Sequence, residues 1–131
     1  MSAAFSWSHL GLVALGGALG VAAREALLLI GEPGWQSIAV PVINVVGAFL
    51  LGVVTGLAVR LSDRPRSQAA RQFFGTGVLG GFTTYSTFAV QAVHGAAIWM
   101  TLATAVLGVA AAGLGLFLTR VRTLPDAGEE R

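Results

Sequence analysis

Four apolar runs decide what this chain can become. A helix needs about 20 mostly apolar residues to cross the hydrocarbon core of a bilayer. Four windows meet that length, Trp7–Ile30, Ile38–Val59, Phe73–His94 and Ala96–Thr119. The only charged residues inside them are Arg24 and Glu25, near the far end of the first. Charged residues make up 11% of the chain and hydrophobic ones 55%, whereas a soluble domain carries about 25% charged residues. Such a chain cannot cover itself with polar surface. The sequence therefore predicts an all-α membrane protein with four transmembrane helices, spanning about 7–30, 36–60, 72–94 and 96–120. They form one domain over 1–123, followed by a polar tail at 124–131.

The connections are short. Gly31, Pro33 and Gly34 supply turn formers between the first two runs. Arg60–Arg71 is a basic link, and the third connection shrinks to His94–Gly95, so the last two helices are expected to form a tight hairpin. Trp7, Trp35 and Trp99 lie near span ends, where interfacial anchoring favours them. With four spans, the N-terminus, the second connection and the C-terminus share a side. That side holds Arg60, Arg64, Arg66, Arg71, Arg120, Arg122 and Arg131, seven in all, against Arg24 on the other. The positive-inside rule then places both termini in the cytoplasm of a multi-pass protein of the cell membrane. The formal net charge is only +2, and its arginines sit between apolar runs, so no nucleic-acid partner is expected. No Lys or Arg precedes the first run, which argues against a cleaved signal peptide. The chain has no cysteine, hence no disulfide and no thiolate metal site. His9 and His94 are far apart and form no ligand cluster.

Small residues recur at helix-packing spacing. Gly16 and Gly20, Gly52 and Gly56, and Gly77 and Gly81 each form a GxxxG pair, which lets a second helix approach closely. Asn44 stands inside an otherwise apolar run, and an amide buried there without partners costs a few kcal/mol. It either bonds across helices or offers amide donors to an anion. Arg24 would be costly at the bilayer centre. Near a helix end it can snorkel, pair with Glu25, or lend positive charge to a pore mouth.

The stretch Gly75–Phe88, GTGVLGGFTTYSTF, is poor helix material inside an apolar run. Gly80–Gly81 is a natural break point, and non-helical backbone at membrane depth is tolerated only when buried in protein or lining a watery cavity. Thr83, Thr84, Ser86 and Thr87 follow with four hydroxyls, and Tyr85 and Phe88 share a face if helical. Aromatic rings have positive edges, so ring edges beside hydroxyl and amide donors suit a small, hard anion. A broken helix also offers free N–H groups to an anion and free carbonyls to a cation. The alternative is a Gly/Thr-rich packing seam. No acid, base or nucleophile pair accompanies these residues, so an enzyme is not expected.

GGFTTYSTF at Gly80–Phe88 resembles the signature of the Fluc/CrcB fluoride channel family. GGALGVAAR at Gly16–Arg24 resembles the family's GGxxGxxxR in the first helix, and NVVGAFLLG at Asn44–Gly52 resembles its NxxGxFxxG in the second. The resemblance covers roughly residues 10–119. It implies a passive, fluoride-selective channel that expels cytoplasmic fluoride and protects against its toxicity. It also implies an antiparallel dimer of subunits with a third helix broken mid-membrane. On matching positions, Asn44 corresponds to the pore Asn, Tyr85 and Phe88 to two pore phenylalanines, and Ser86 and Thr87 to hydroxyls near the path. Arg24 corresponds to the Arg near the pore entrance. Gly80 and Thr83 correspond to residues at the break whose carbonyls hold a structural Na⁺ at the dimer interface.

The chain departs from that pattern in three ways. Tyr85 stands where the family has phenylalanine, adding a hydroxyl. The fourth run carries little polar content beyond Thr101, Thr104 and Thr119, where the family often runs a polar track. The Arg bias of seven to one favours a fixed orientation, and so a heterodimer with an oppositely oriented homologue over a homodimer. Two other readings compete. A small multidrug-type proton-coupled exporter would need a membrane-embedded carboxylate, for which Glu25 is the candidate. A non-conducting partner subunit would need only the small-residue faces.

Overall fold

A computed structural model describes residues 6–32, 34–61, 65–84 and 98–119. Helix α1 runs Trp7–Leu29 and α2 runs Trp35–Arg60. Helix α3 is built of three consecutive pieces, α-helical Pro65–Ala70, π-helical Arg71–Leu79 and a last α-helical turn Gly80–Phe82. Helix α4 runs Ile98–Thr119. Three of these, α1, α2 and α4, are long and apolar enough to cross a membrane. The chain is thus an all-helical membrane protein, and large apolar side chains such as Val109, Phe117 and Trp99 stand exposed on its outside. Three helix boundaries lie within a few residues of the sequence expectation. The third differs: its helix begins at Pro65, so half of the expected basic link is helical, and its last described helical residue is Phe82. The expected hairpin at His94–Gly95 and the polar tail fall outside the described residues.

Consecutive helices α1 and α2 touch little; α1 packs chiefly on α3, and α2 chiefly on α4. The glycine pairs explain both seams. A Cβ on Gly16 would collide with the Phe73 carbonyl and lie 3.0 Å from the Gly77 Cα, and one on Gly77 would lie 2.9 Å from the Gly16 Cα. Backbones meet here because neither residue has a side chain. On the other seam, Gly52 faces the Ala112 carbonyl and Gly115 faces the Phe49 carbonyl. The small-residue faces are spent on packing within the chain.

Two local features orient α2. Gly34 precedes it in the left-handed region, at φ 97°, which glycine adopts without penalty. Trp35 then donates its indole N–H to the Leu27 carbonyl at 3.0 Å, tying the start of α2 to the end of α1. Pro41 lacks the N–H that would bond one turn back. The π-helical stretch Arg71–Leu79 is unusual in length, since wide turns mostly occur singly and often near functional sites. It leads directly to the end of α3.

Candidate anion site at the end of helix α3

Helix α3 ends at Phe82, and Thr83 turns into extended backbone with φ −76° and ψ 155°. The last helical bond runs from the Thr83 N–H to the Leu79 carbonyl at 3.0 Å, and the Thr83 hydroxyl donates to the same oxygen at 3.0 Å. An unbroken helix would next give the Thr84 N–H to the Gly80 carbonyl. Here that N–H donates to Asn44 Oδ1 at 2.9 Å, while Asn44 Nδ2 donates to the Thr84 carbonyl at 3.2 Å. The amide thus clasps one residue's backbone at two points. The direction of the N–H fixes which end of the Asn44 amide is oxygen. Thr84 is buried, so the clasp supplies hydrogen-bond partners to backbone groups at depth. Of the two alternatives for Asn44, bonding across helices is realised. One of its two N–H donors is committed to Thr84, and the same nitrogen carries a second.

Arg24 reaches the same helix end from α1. Its Nε and one terminal nitrogen donate to Glu25 Oε1 at 3.2 and 3.0 Å. Its other terminal nitrogen faces the Gly81 and Thr83 carbonyls at 3.3 and 3.4 Å. The Arg24 side chain is 17% exposed and that of Glu25 54%. The sole carboxylate within the apolar runs is therefore held by a guanidinium at a helix end, a poor position for coupling protons to a cationic substrate.

The carbonyls of Gly80 and Thr83 have the oxygen chemistry that a hard cation such as Na⁺ takes. The Thr83 carbonyl also faces the Arg24 guanidinium at 3.4 Å, which takes up one of the two lone pairs of its oxygen. Among the described residues, no cluster of His, Cys, Asp or Glu could hold a metal.

A groove of about 340 Å³ opens between α2 and α3. Arg71, Thr55 and Thr76 line it together with Gly47, Gly80 and Thr83. The sequence marks Arg71 only as topology-setting charge and does not single out Thr55 or Thr76. The available signal was spacing, since Thr76, Gly80 and Thr83 fall at i, i+4 and i+7 on one helix face and Gly47 and Thr55 lie two turns apart on another. On α4, the buried Thr104 hydroxyl donates to the Met100 carbonyl at 2.7 Å and Thr119 donates to the Gly115 carbonyl at 2.9 Å. These protons are used within the helix and are not directed at a ligand.

The structure brings Asn44, Arg24, Gly80 and Thr83 to one helix end. Tyr85, Ser86, Thr87 and Phe88 lie outside the described residues and begin one residue beyond the Asn44–Thr84 clasp.

The chain is similar to several curated proteins. Fluoride-specific ion channel FluC 1 of Rhodococcus jostii (strain RHA1) is 46% identical over 108 residues, covering 80% of each chain. The fluoride-specific ion channel FluC of Agrobacterium fabrum is 37% identical over 125 residues, covering 86% of this chain and 96% of the relative. Fluoride-specific ion channel FluC 2 of Leifsonia xyli subsp. xyli is 57% identical over 83 residues, covering 61% of this chain and 57% of that relative. The family described as CrcB-like protein, Camphor Resistance (CrcB), matches residues 11–119. By that match and by the shared length of these relatives, the chain belongs to the CrcB family.

Proposed function

We propose that this protein is a fluoride-selective ion channel that lets cytoplasmic fluoride leave the cell passively. The observation that carries the reading is the Asn44–Thr84 clasp. It holds an amide donor at membrane depth where α3 ends, directly before the hydroxyl and aromatic run Tyr85–Phe88. A small hard anion needs donors that replace its hydration shell without binding it too tightly. Amide and hydroxyl N–H and O–H groups and aromatic ring edges do so, and none of them performs acid–base chemistry. The curated relatives named as fluoride-specific ion channels support the same substrate.

The finer assignments belong to this proposal. Four spans cross the cell membrane, the third broken after Phe82, with both termini in the cytoplasm. Asn44, Tyr85, Ser86, Thr87 and Phe88 line the fluoride path, and Arg24 lends positive charge near it. Two antiparallel subunits complete the channel. The Arg distribution favours a heterodimer with an oppositely oriented homologue over a homodimer. A structural Na⁺ sits at the dimer interface on the carbonyls of Gly80 and Thr83.

Proteoliposomes loaded with fluoride test the function. The protein, alone or with its oppositely oriented homologue, releases fluoride and retains chloride. Chloride release at the same rate would refute the assignment. An antiparallel, conducting dimer of the purified chain alone would refute the heterodimer.

A further inference from the structure

We infer that an apolar pocket between the end of α2 and the start of α3 binds an anionic phospholipid, with an acyl chain in the pocket and the phosphate at the arginines beside it. The inference stands apart from fluoride conduction and needs only that α2 crosses the bilayer, for which it is long and apolar enough.

The pocket has a volume of about 200 Å³ and is lined by Leu57, Ala58 and Leu61 of α2 and by Ala70, Arg71 and Phe74 of α3. Leu57, Leu61 and Phe74 are 40%, 44% and 53% exposed, so apolar surface stands open there. Helix geometry gives the direction in which it opens. Residues two apart on an α-helix point about 200° apart, nearly opposite ways. Leu57 in the pocket and Thr55 in the α2–α3 groove are such a pair. Phe74 and Thr76 are another, and the wider turns of the π-helical stretch also keep them on different sides. The pocket therefore opens away from the groove that holds the two hydroxyls, Gly80 and Thr83.

Depth and charge select the occupant. The pocket lies where α2 ends and α3 begins, at the level where spanning helices meet the membrane surface. Arg60 follows Leu57 by three residues and Arg66 precedes Ala70 by four, spacings that put each arginine on the pocket's side of its helix. Both are exposed, and neither pairs with a carboxylate among the described residues. Asp63 and Arg64, between them in the chain, cancel in formal charge. Hydrocarbon with arginines at its mouth matches a phospholipid end to end. A guanidinium binds phosphate through paired hydrogen bonds, and basic pockets between spanning helices take anionic headgroups. A zwitterionic lipid brings an ammonium that the arginines repel. A soluble anion has nothing to place against Leu57 and Phe74.

Melting temperature is measured in detergent with added phosphatidylglycerol, phosphatidylcholine or glycerol phosphate, and lipid retention is read by native mass spectrometry. The parent protein gains several degrees from phosphatidylglycerol, little from phosphatidylcholine and nothing from glycerol phosphate, and it retains one phosphatidylglycerol per subunit. Arg60→Gln combined with Arg66→Gln lowers the phosphatidylglycerol gain to that of phosphatidylcholine. Ala70→Leu fills the pocket with every arginine in place and removes the gain from either lipid. Where Ala70→Leu yields no folded protein, Leu57→Gln, which makes the pocket polar at similar volume, takes its place with the same expectation. Arg71 is left unaltered because it also lines the groove. Equal gains from the two lipids, an equal gain from glycerol phosphate or a full gain in the double arginine variant overturns the inference. Undiminished lipid retention in the pocket variant does so too. Because no transport is measured, this failure is distinct from failure of the fluoride reading, which the liposome assay detects.

Discussion

Asn44 on α2 and Thr84 beyond the end of α3 are joined by two hydrogen bonds of 2.9 and 3.2 Å between one side-chain amide and one backbone unit. The pair imitates two adjacent strands. It allows the chain to leave helical geometry at membrane depth without stranding polar groups, and it ties the irregular segment to a helix from another part of the chain.

Removing the amide tests that role. Asn44→Ala removes two hydrogen bonds to buried Thr84, each worth about 0.5–1.5 kcal/mol. The expected result is a lower melting temperature in detergent together with a large loss of fluoride efflux. Loss of stability with full efflux in the surviving protein would confine Asn44 to packing.

The Gly16–Gly77 contact leaves no room for a methyl group. Gly77→Ala forces backbone apart along the α1–α3 seam and should cost about 1–3 kcal/mol. Gly11→Ala meets nothing within 4 Å and should be neutral or stabilising by up to about 1 kcal/mol. Paired thermal melts of the two variants check the contrast.

Phe88 and Tyr85 are assigned to the fluoride path through their ring edges. Phe88→Ile keeps the apolar bulk and removes the ring, so efflux is abolished while size-exclusion behaviour is unchanged. Tyr85→Phe removes the added hydroxyl and raises efflux. Unaltered flux in Phe88→Ile would take that ring out of the path.

Arg71 lines the groove between α2 and α3 beside Thr55 and Thr76. A positive charge in a low-dielectric cleft concentrates anions, by about tenfold or more, and salt weakens the effect. Arg71→Gln should therefore slow fluoride efflux at low ionic strength and approach the parent rate at high ionic strength. A deficit independent of salt would assign Arg71 to folding instead.

Much was legible in the chain itself. The apolar windows gave α1, α2 and α4 nearly to the residue, because the bilayer thickness imposes one length on any spanning helix. The GxxxG spacings marked Gly16, Gly52 and Gly77 as contact positions, since only small residues let backbones touch. Asn44 and Arg24 stood out because polar groups at depth need partners. Which partners they had was not legible. Asn44 lies 40 residues from Thr84, and Arg24 lies 57 and 59 residues from Gly81 and Thr83. No local periodicity encodes such distances.

By itself, the sequence determined that this chain lives in a bilayer, how long three of its helices are and which small or polar residues must meet something. Those properties follow from composition and from helix spacing along one strand of chain. Only the tertiary structure decided that α1 pairs with α3 and α2 with α4, that the clasp of Asn44 falls on Thr84, and that the guanidinium of Arg24 faces the carbonyls at the end of α3. The reason is that each glycine face could have met any other, and the choice depends on which backbones fit together across space. The end of α3 at Phe82 is thus held in place by residues from two other helices.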